Sequence, residues 1–383
     1  MRIQLKFLSI AATTLLLSAC GTLFEKDNTP EPKALATITH PEVQPRLLWS
    51  TNAGSGTGDE YLKAAPAVTD SAIYTASLNG TVTSINRGPG SVNWRTSTDY
   101  ALTSGAGAGD GIVVAGGRNG DVVALDQRSG KTRWKVSVPG QVNAAPAISN
   151  GLVIIKTVNG NVSALDVANG AKRWSYQQIE PNLVLRAAST PRIADGHLFI
   201  GFANGNLSNF RLDEGQLIWS QTISYPEGGF AIQRMIDIDA DPVIYGRHIY
   251  AATYQGKIAS LDWGSGSMLW SHDISSYTGM AADANTIFIS DAKSYLWSFN
   301  ADSGTVNWRQ TDLEWRTVSG PAVMRNYVVV GDAKGYVHWL NMHDGHFAAR
   351  MYAGGAIYSA PVVRGGVAYV LSNNGNLSAY TLD

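Results

Sequence analysis

Ala124-Leu125-Asp126-Gln127-Arg128-Ser129-Gly130-Lys131-Thr132-Arg133-Trp134 is answered forty residues on by Ala164-Leu165-Asp166-Val167-Ala168-Asn169-Gly170-Ala171-Lys172-Arg173-Trp174, and this echo decides the fold. The same frame runs down the chain. Pro66, Pro146, Pro191 and Pro242 each precede a Trp by 28 residues: Trp94, Trp174, Trp219 and Trp270. Counting back 28 from Trp134 and Trp308 gives Ala106 and Met280, so those units lack the Pro and keep the frame. Pro321 points to position 349, where the chain has Ala349. The last unit opens at Pro361, and the sequence stops at Asp383 before its Trp slot.

Glycines mark the turns of each unit. Fourteen residues after each anchor stand Gly80, Gly120, Gly160, Gly205, Gly256, Ser294, Gly335 and Gly375, five of them after Asn. Asn-Gly favours the type I′ hairpin turn, in which both central residues take positive φ. Four residues before each Trp slot stand Gly90, Gly130, Gly170, Gly215, Gly266, Gly304 and Gly345. Between the turns lie short β-branched runs such as Ile112-Val113-Val114 and Leu152-Val153-Ile154-Ile155. Each unit therefore holds four short strands. One such sheet cannot cover both of its faces, but sheets stacked radially cover one another. The expected fold is all-β, an eight-bladed β-propeller of four-stranded blades over residues 46–383. Arg46-Leu47-Leu48-Trp49-Ser50 is expected to complete the last blade, closing the ring and removing an open sheet edge.

Composition agrees. Apolar residues make up 44% of the 383 and charged residues 15%, with 40 glycines. Met1 to Ala19 reads as a signal peptide: Arg2 and Lys6 precede an apolar run, Phe7 to Leu17, that is too short to span a bilayer. Leu17-Ser18-Ala19-Cys20 resembles the bacterial lipobox, in which the Cys becomes the lipidated first residue of the mature protein. Gly21, rather than Asp, follows it. By that resemblance the protein is anchored by lipid to the periplasmic face of the outer membrane. Residues 20–45, with four prolines, read as a flexible tether reaching roughly 80 Å when extended. Cys20 is the only cysteine, so no disulfide can form. The mature chain carries 27 basic and 30 acidic residues with no basic run, which speaks against nucleic-acid binding.

Function is expected where the repeat is interrupted. Two neighbouring connections, 174–191 and 219–242, are longer than the others, and all such connections fall on one rim. The first holds Asn182-Leu183-Val184-Leu185-Arg186, the second Gln233-Arg234-Met235-Ile236-Asp237-Ile238-Asp239. Apolar side chains flanked by Arg and Asp suit a protein interface, although Leu183 and Leu185 could equally pack inward beneath their loop.

The repeat resembles that of the PQQ-like propellers, shared by quinoprotein dehydrogenases and by the BamB family of lipoproteins. The resemblance to the BamB family covers lipobox, tether, blades and length. Leu183, Leu185 and Arg186 fall on that family's Leu-x-Leu-Arg motif, and Asp237 and Asp239 on its Asp-x-Asp motif. The resemblance implies a non-catalytic scaffold of the outer-membrane β-barrel assembly complex. In it these residues would contact a POTRA domain of the barrel subunit BamA, and Arg234 in the second loop is a further candidate contact. Other complex lipoproteins and unfolded outer-membrane proteins are further candidate partners. Asp237 and Asp239 could pair with a partner's base or orient Arg186 within the loop pair.

Other chemistries find little support. A quinoprotein active site commonly carries a disulfide of adjacent cysteines, impossible with Cys20 alone. No cofactor or metal is expected. His338, His343 and His346 read as histidines at a surface turn. Gly130-Lys131-Thr132 lacks the earlier Gly of a P-loop, and Gly105-Ala106-Gly107-Ala108-Gly109 lacks the last Gly of a dinucleotide fingerprint. Small residues there suit a crowded channel. A periplasmic peptide- or glycan-binding propeller, stacking sugars on an exposed Trp315 or on channel tyrosines, is the alternative reading.

Overall fold

The computed structural model describes residues 29–186, 189–283 and 285–383. The expected signal peptide and Cys20 lie outside the described residues. The repeat units become eight four-stranded antiparallel sheets. Seven are consecutive in sequence, over 67–97, 107–137, 147–177, 192–222, 243–273, 280–310 and 322–352, and are called blades one to seven. Blade eight takes Val362–Arg364, Val367–Leu371 and Asn376–Leu382 from the C-terminus and Pro45–Asn52 from the N-terminus as its outer strand. Pairing runs from Pro45 opposite Leu382 to Asn52 opposite Asn376, longer at both ends than the Arg46–Ser50 expectation.

Burial follows position in the blade. The second strands, such as Ile112–Gly116 and Leu152–Lys156, are buried along their whole length, because neighbouring blades cover both faces. Outer strands such as Val92–Ser97 alternate between exposed and half-buried. The apolar core is accordingly divided between blades. Tyr74 and Val82 of blade one pack with Val113 and Val123 of blade two, and Phe199 and Leu207 of blade four with Ile249 and Ala259 of blade five.

The Gly-x-x-x-Trp frame has a physical cause. Each Trp lies against the glycine turn of the following blade: a Cβ on Gly130 would come within 2.6 Å of the Trp94 ring, and one on Gly215 within 2.5 Å of Trp174. These glycines also take positive φ, 69° and 68°, which a side chain disfavours. The indole N–H then donates across the interface, from Trp134 to the Val167 carbonyl (2.9 Å) and from Trp270 to the Ala301 carbonyl (2.8 Å). The same logic explains Ala349. Blade eight draws its third and fourth strands from opposite chain ends, so it has no turn on which a Trp from blade seven could dock. Val43 and Leu382 fill that space with Ala348 and Ala349, and Glu42 N–H bonds the Ala348 carbonyl at 2.9 Å.

Three expectations need correction. First, the Asn-Gly hairpins are not type I′ turns. Gly80, Gly120, Gly160, Gly205 and Gly375 take positive φ, but the preceding asparagines do not. Ser77 N–H bonds Thr81 O and Gly80 N–H bonds Ser77 O, the pattern of a three-residue loop whose last residue is left-handed. Asn79 Oδ1 instead accepts Thr81 N–H at 3.1 Å, an asparagine role that needs no positive φ.

Second, residues 33–43 of the expected flexible tether are laid along blade seven. Lys33 N–H bonds Glu314 O (2.9 Å), the Arg316 guanidinium bonds Lys33 O (3.1 Å) and that of Arg350 bonds Ala36 O (3.0 Å). Leu35 packs on the core between blades six and seven.

Third, His338 is not at the surface. It is buried between Asp332 Oδ2 (3.0 Å) and Arg350 Nε (3.1 Å). Arginine can only donate, so Nδ1 accepts and the proton sits on Nε2, facing Asp332. The ring is thus neutral, the form that burial favours by lowering its pKa against the pull of Asp332. His343 and His346 do flank the turn, with His346 between Asp344 and Glu42. Among the described residues no group of His, Cys, Asp and Glu is placed to hold a metal ion.

Candidate functional site

The two long loops leave one rim side by side. Gln178 N–H bonds Gly160 O and Ile223 N–H bonds Gly205 O, both 2.9 Å, so each loop starts beside a hairpin of its own blade. Glu180 then turns back over blade four, its carboxylate accepting Ala203 N–H (3.2 Å) and Asn204 N–H (3.1 Å). Below it the buried Lys156 donates to Gly201 O at 2.6 Å. Burial raises the Glu180 pKa and lowers that of Lys156, while their opposite charges resist both shifts.

The second loop has two halves of opposite character. Tyr225, Phe230 and Ile232 are 72%, 72% and 64% exposed. Gln233 Oε1 accepts the N–H groups of Gly229 and Phe230, both 3.1 Å, shaping a single 3-10 turn, Ala231–Arg234. From Met235 to Ala240 every residue is buried. Alternation explains how a buried loop segment can carry two acids. Ile236 and Ile238 fit against Gly205 and Gly201, where a Cβ would lie 2.7 and 2.3 Å from the isoleucine side chains. In an extended chain that turns Asp237 and Asp239 the other way, toward the first loop. Asp237 Oδ1 accepts Leu185 N–H at 2.8 Å, and Asp239 Oδ2 accepts Arg186 N–H at 3.5 Å. Asn143, from the connection before blade three, donates to Arg186 O at 2.8 Å.

The backbone of Leu185 and Arg186 is thus held from three sides, while the side chains of Leu183 and Arg186 are exposed. Leu183 is 44% exposed, Leu185 half-buried, and Arg186 and Arg234 exposed, their guanidinium groups without acceptors among the described residues. Of the six predicted partner-binding residues, four present side chains at the rim and two, Asp237 and Asp239, lie beneath it. Asp237 bears a burial cost. Desolvation, then the charge of Asp239, raises its pKa to about 7, against the Leu185 N–H bond. Its second oxygen is buried with no partner among the described residues.

Sequence reasoning missed the segment before blade one. Lys63 reaches across the mouth of the channel, its Nζ donating to Asp239 O and, at 2.9 Å, to Tyr277 O. Tyr61 beside it meets Tyr358 at a tilt (4.8 Å between centroids) and Tyr277 edge to face (6.0 Å). The segment carries no repeat signal, and only its distance from the first anchor set it apart. The exposed Ile179, Tyr225, Phe230 and Ile232 were legible in principle, as apolar residues inside the two long gaps. Trp315, considered for sugar stacking, is half-buried in the connection before blade seven.

A closed ring of eight such repeats, specialised on one rim, defines a propeller of the PQQ-like class. A family model described as outer membrane protein assembly factor BamB matches residues 78–310 and 294–383. The outer membrane protein assembly factor BamB of Legionella pneumophila is 43% identical over 354 residues, 92% of each chain. The crystal structure of BamB from Moraxella catarrhalis superposes with a TM-score of 0.81 at 27% identity, covering 88% of this chain and all of that one. The chain belongs to the BamB family of outer membrane protein assembly factors. The quinohemoprotein alcohol dehydrogenase of Comamonas testosteroni superposes with a TM-score of 0.72 over 88% of this chain and 76% of that one, but at 13% identity it shares the fold alone. The family is one of assembly factors and not of enzymes.

Proposed function

We propose that this protein is a lipid-anchored scaffold on the periplasmic face of the outer membrane. In this reading it assists assembly of outer-membrane proteins by binding the POTRA region of a BamA-like barrel subunit through the 178–191 and 223–242 loops. The observation that carries it is the braced backbone of Leu185 and Arg186, with the Arg186 and Leu183 side chains exposed. A loop already held by Asp237, Asp239 and Asn143 loses little conformational entropy on binding. The guanidinium of Arg186 can take a carboxylate or carbonyl in a bidentate bond, and Leu183 with Phe230 and Ile232 offers apolar area around it. The Legionella and Moraxella relatives carry the BamB name, which supports the same role. Other complex lipoproteins and unfolded outer-membrane proteins remain candidate partners beside the barrel subunit.

Affinity purification from envelope extracts tests this. The wild-type chain is expected to retain a large outer-membrane barrel protein, and Leu183→Ala or Arg186→Ala to lose most of it at unchanged melting temperature. Equal recovery by all three proteins would reject the loop pair as the site.

A further inference from the structure

We infer that the seam between blades seven and eight is a pH-sensitive fastening. A cationic His346 pins Glu42, and with it the start of the closing strand, and the hold loosens when the imidazole gives up its proton.

The seam is built unlike the others. At seven of the eight interfaces a Trp lies against the glycine turn of the next blade, and here Ala349 stands in the Trp slot. Two residues of the strap take its place. Val43 is buried among Ala348, Ala349 and Leu382, and Glu42 N–H bonds Ala348 O at 2.9 Å. The Glu42 carboxylate is a second attachment. It accepts from Asn341 Nδ2 at 3.2 and 3.3 Å and lies 2.8 Å from His346 Nε2. The closing strand begins within three residues, with Pro45 opposite Leu382. Whatever frees Glu42 therefore frees the end of that strand.

His346 stands on a fixed support. Gly345 N–H bonds Asn341 O and Asn341 N–H bonds His346 O, both at 2.9 Å. Gly345 also lies against Trp308 of blade six, where a Cβ would come within 2.6 Å of the ring. The imidazole on this turn has a carboxylate at each nitrogen: Asp344 Oδ1 is 2.6 Å from Nδ1 and Glu42 Oε2 is 2.8 Å from Nε2. Both contacts are hydrogen bonds only when both nitrogens carry protons. A neutral ring has one N–H and turns a lone pair toward one of the two carboxylates. Asp344 is kept in place by its own turn, where it accepts the backbone N–H of His346 at 3.2 Å. Glu42, on the strap, is the group able to withdraw.

The direction of the pH effect follows. Burial by itself would lower the His346 pKa, but the bonds and charges of Asp344 and then Glu42 outweigh it and hold the pKa above the usual 6.5. Docking of Glu42 raises the pKa, so its contribution is complete below about 6.5 and is lost as pH rises through the raised value. Tyr327 faces Glu42 from the second strand of blade seven, with its pKa pushed up by burial and by Glu42. Arg46 on the closing strand is paired with Asp383 at 3.2 Å, and His343 on the same turn bonds Asn341 through its backbone N–H at 2.9 Å.

Hydrogen–deuterium exchange of the full-length protein in detergent micelles tests the fastening. It is read near pH 6 and near pH 8.5, with the intrinsic pH dependence of exchange removed. Protection of the segment around Glu42 is expected to be about three- to fivefold lower at the higher pH, the size of one surface ion pair. Lys33 N–H, bonded to Glu314 O at the other end of the strap, is expected to change little. His346→Gln should hold protection at the lower level at both pH values. An NMR titration of the His346 ring needs no variant and should give a pKa above 6.5, falling in Glu42→Gln. Equal wild-type protection at the two pH values, a pH dependence that survives His346→Gln, or a ring that titrates at or below 6.5 overturns the inference.

Discussion

Asp237 shows how one residue can look like a contact in sequence and act as a support in structure. Its carboxylate is buried, holds Leu185 N–H, and sits beside Asp239. Burial raises its pKa to about 7, so the folded chain keeps a proton that the unfolded chain, titrating near 3.8, has already lost. Between those values the folded state binds more protons, and stability is expected to fall as pH rises from about 4 to 7 and then to level off. The contribution is bounded at about 4 kcal/mol by the size of the shift. Asp237→Asn keeps an acceptor for Leu185 and cannot ionise. It should flatten this slope and raise the melting temperature at pH 8, as urea titrations across the range would show. An unchanged slope would place the proton elsewhere. Chain position alone could not reveal this. Ile-Asp-Ile-Asp reads equally as a charged rim or a buried alternating strand, and only the glycines at 201 and 205, opposite in space, decide which face the acids take.

At the scale of the element, the blade was almost fully legible and the connections were not. Blades repeat, so each Gly and Trp is checked by six others, and the Trp-on-glycine dock gives the spacing a mechanical cause. Trp134, buried against Gly170 and bonded to Val167, should cost about 3–5 kcal/mol when replaced by Ala, read as a lowered denaturation midpoint. A second element, the strap at residues 33–43, carries no period and looked like a tether because of its prolines. Its partners, Arg316 and Arg350, lie some three hundred residues away, beyond any local pattern. Arg350→Ala removes the bond to Ala36 O and leaves Arg316 in place. Trypsin is expected to cut after Lys33 several times faster in this variant than in the wild type. Equal cutting rates would mean that Arg350 does not hold the strap.

For the whole molecule, ring and site answer to different demands. The ring is fixed by a repeat that carries no chemistry, closed by pairing Pro45–Asn52 with Asn376–Leu382. The proposed site occupies the break in that repeat, where Asp237 and Asp239 of the second loop and Asn143 before blade three brace the first loop and Leu183 and Arg186 are left exposed. This division explains how one propeller fold serves both dehydrogenases and assembly factors. The central claim is that the braced rim, and not the ring at large, binds the partner. Isothermal titration of the isolated POTRA region against wild type and Arg186→Ala tests it most directly. The account predicts binding weakened by about tenfold or more in the variant, at unchanged melting temperature. Equal affinities for the two proteins would contradict it.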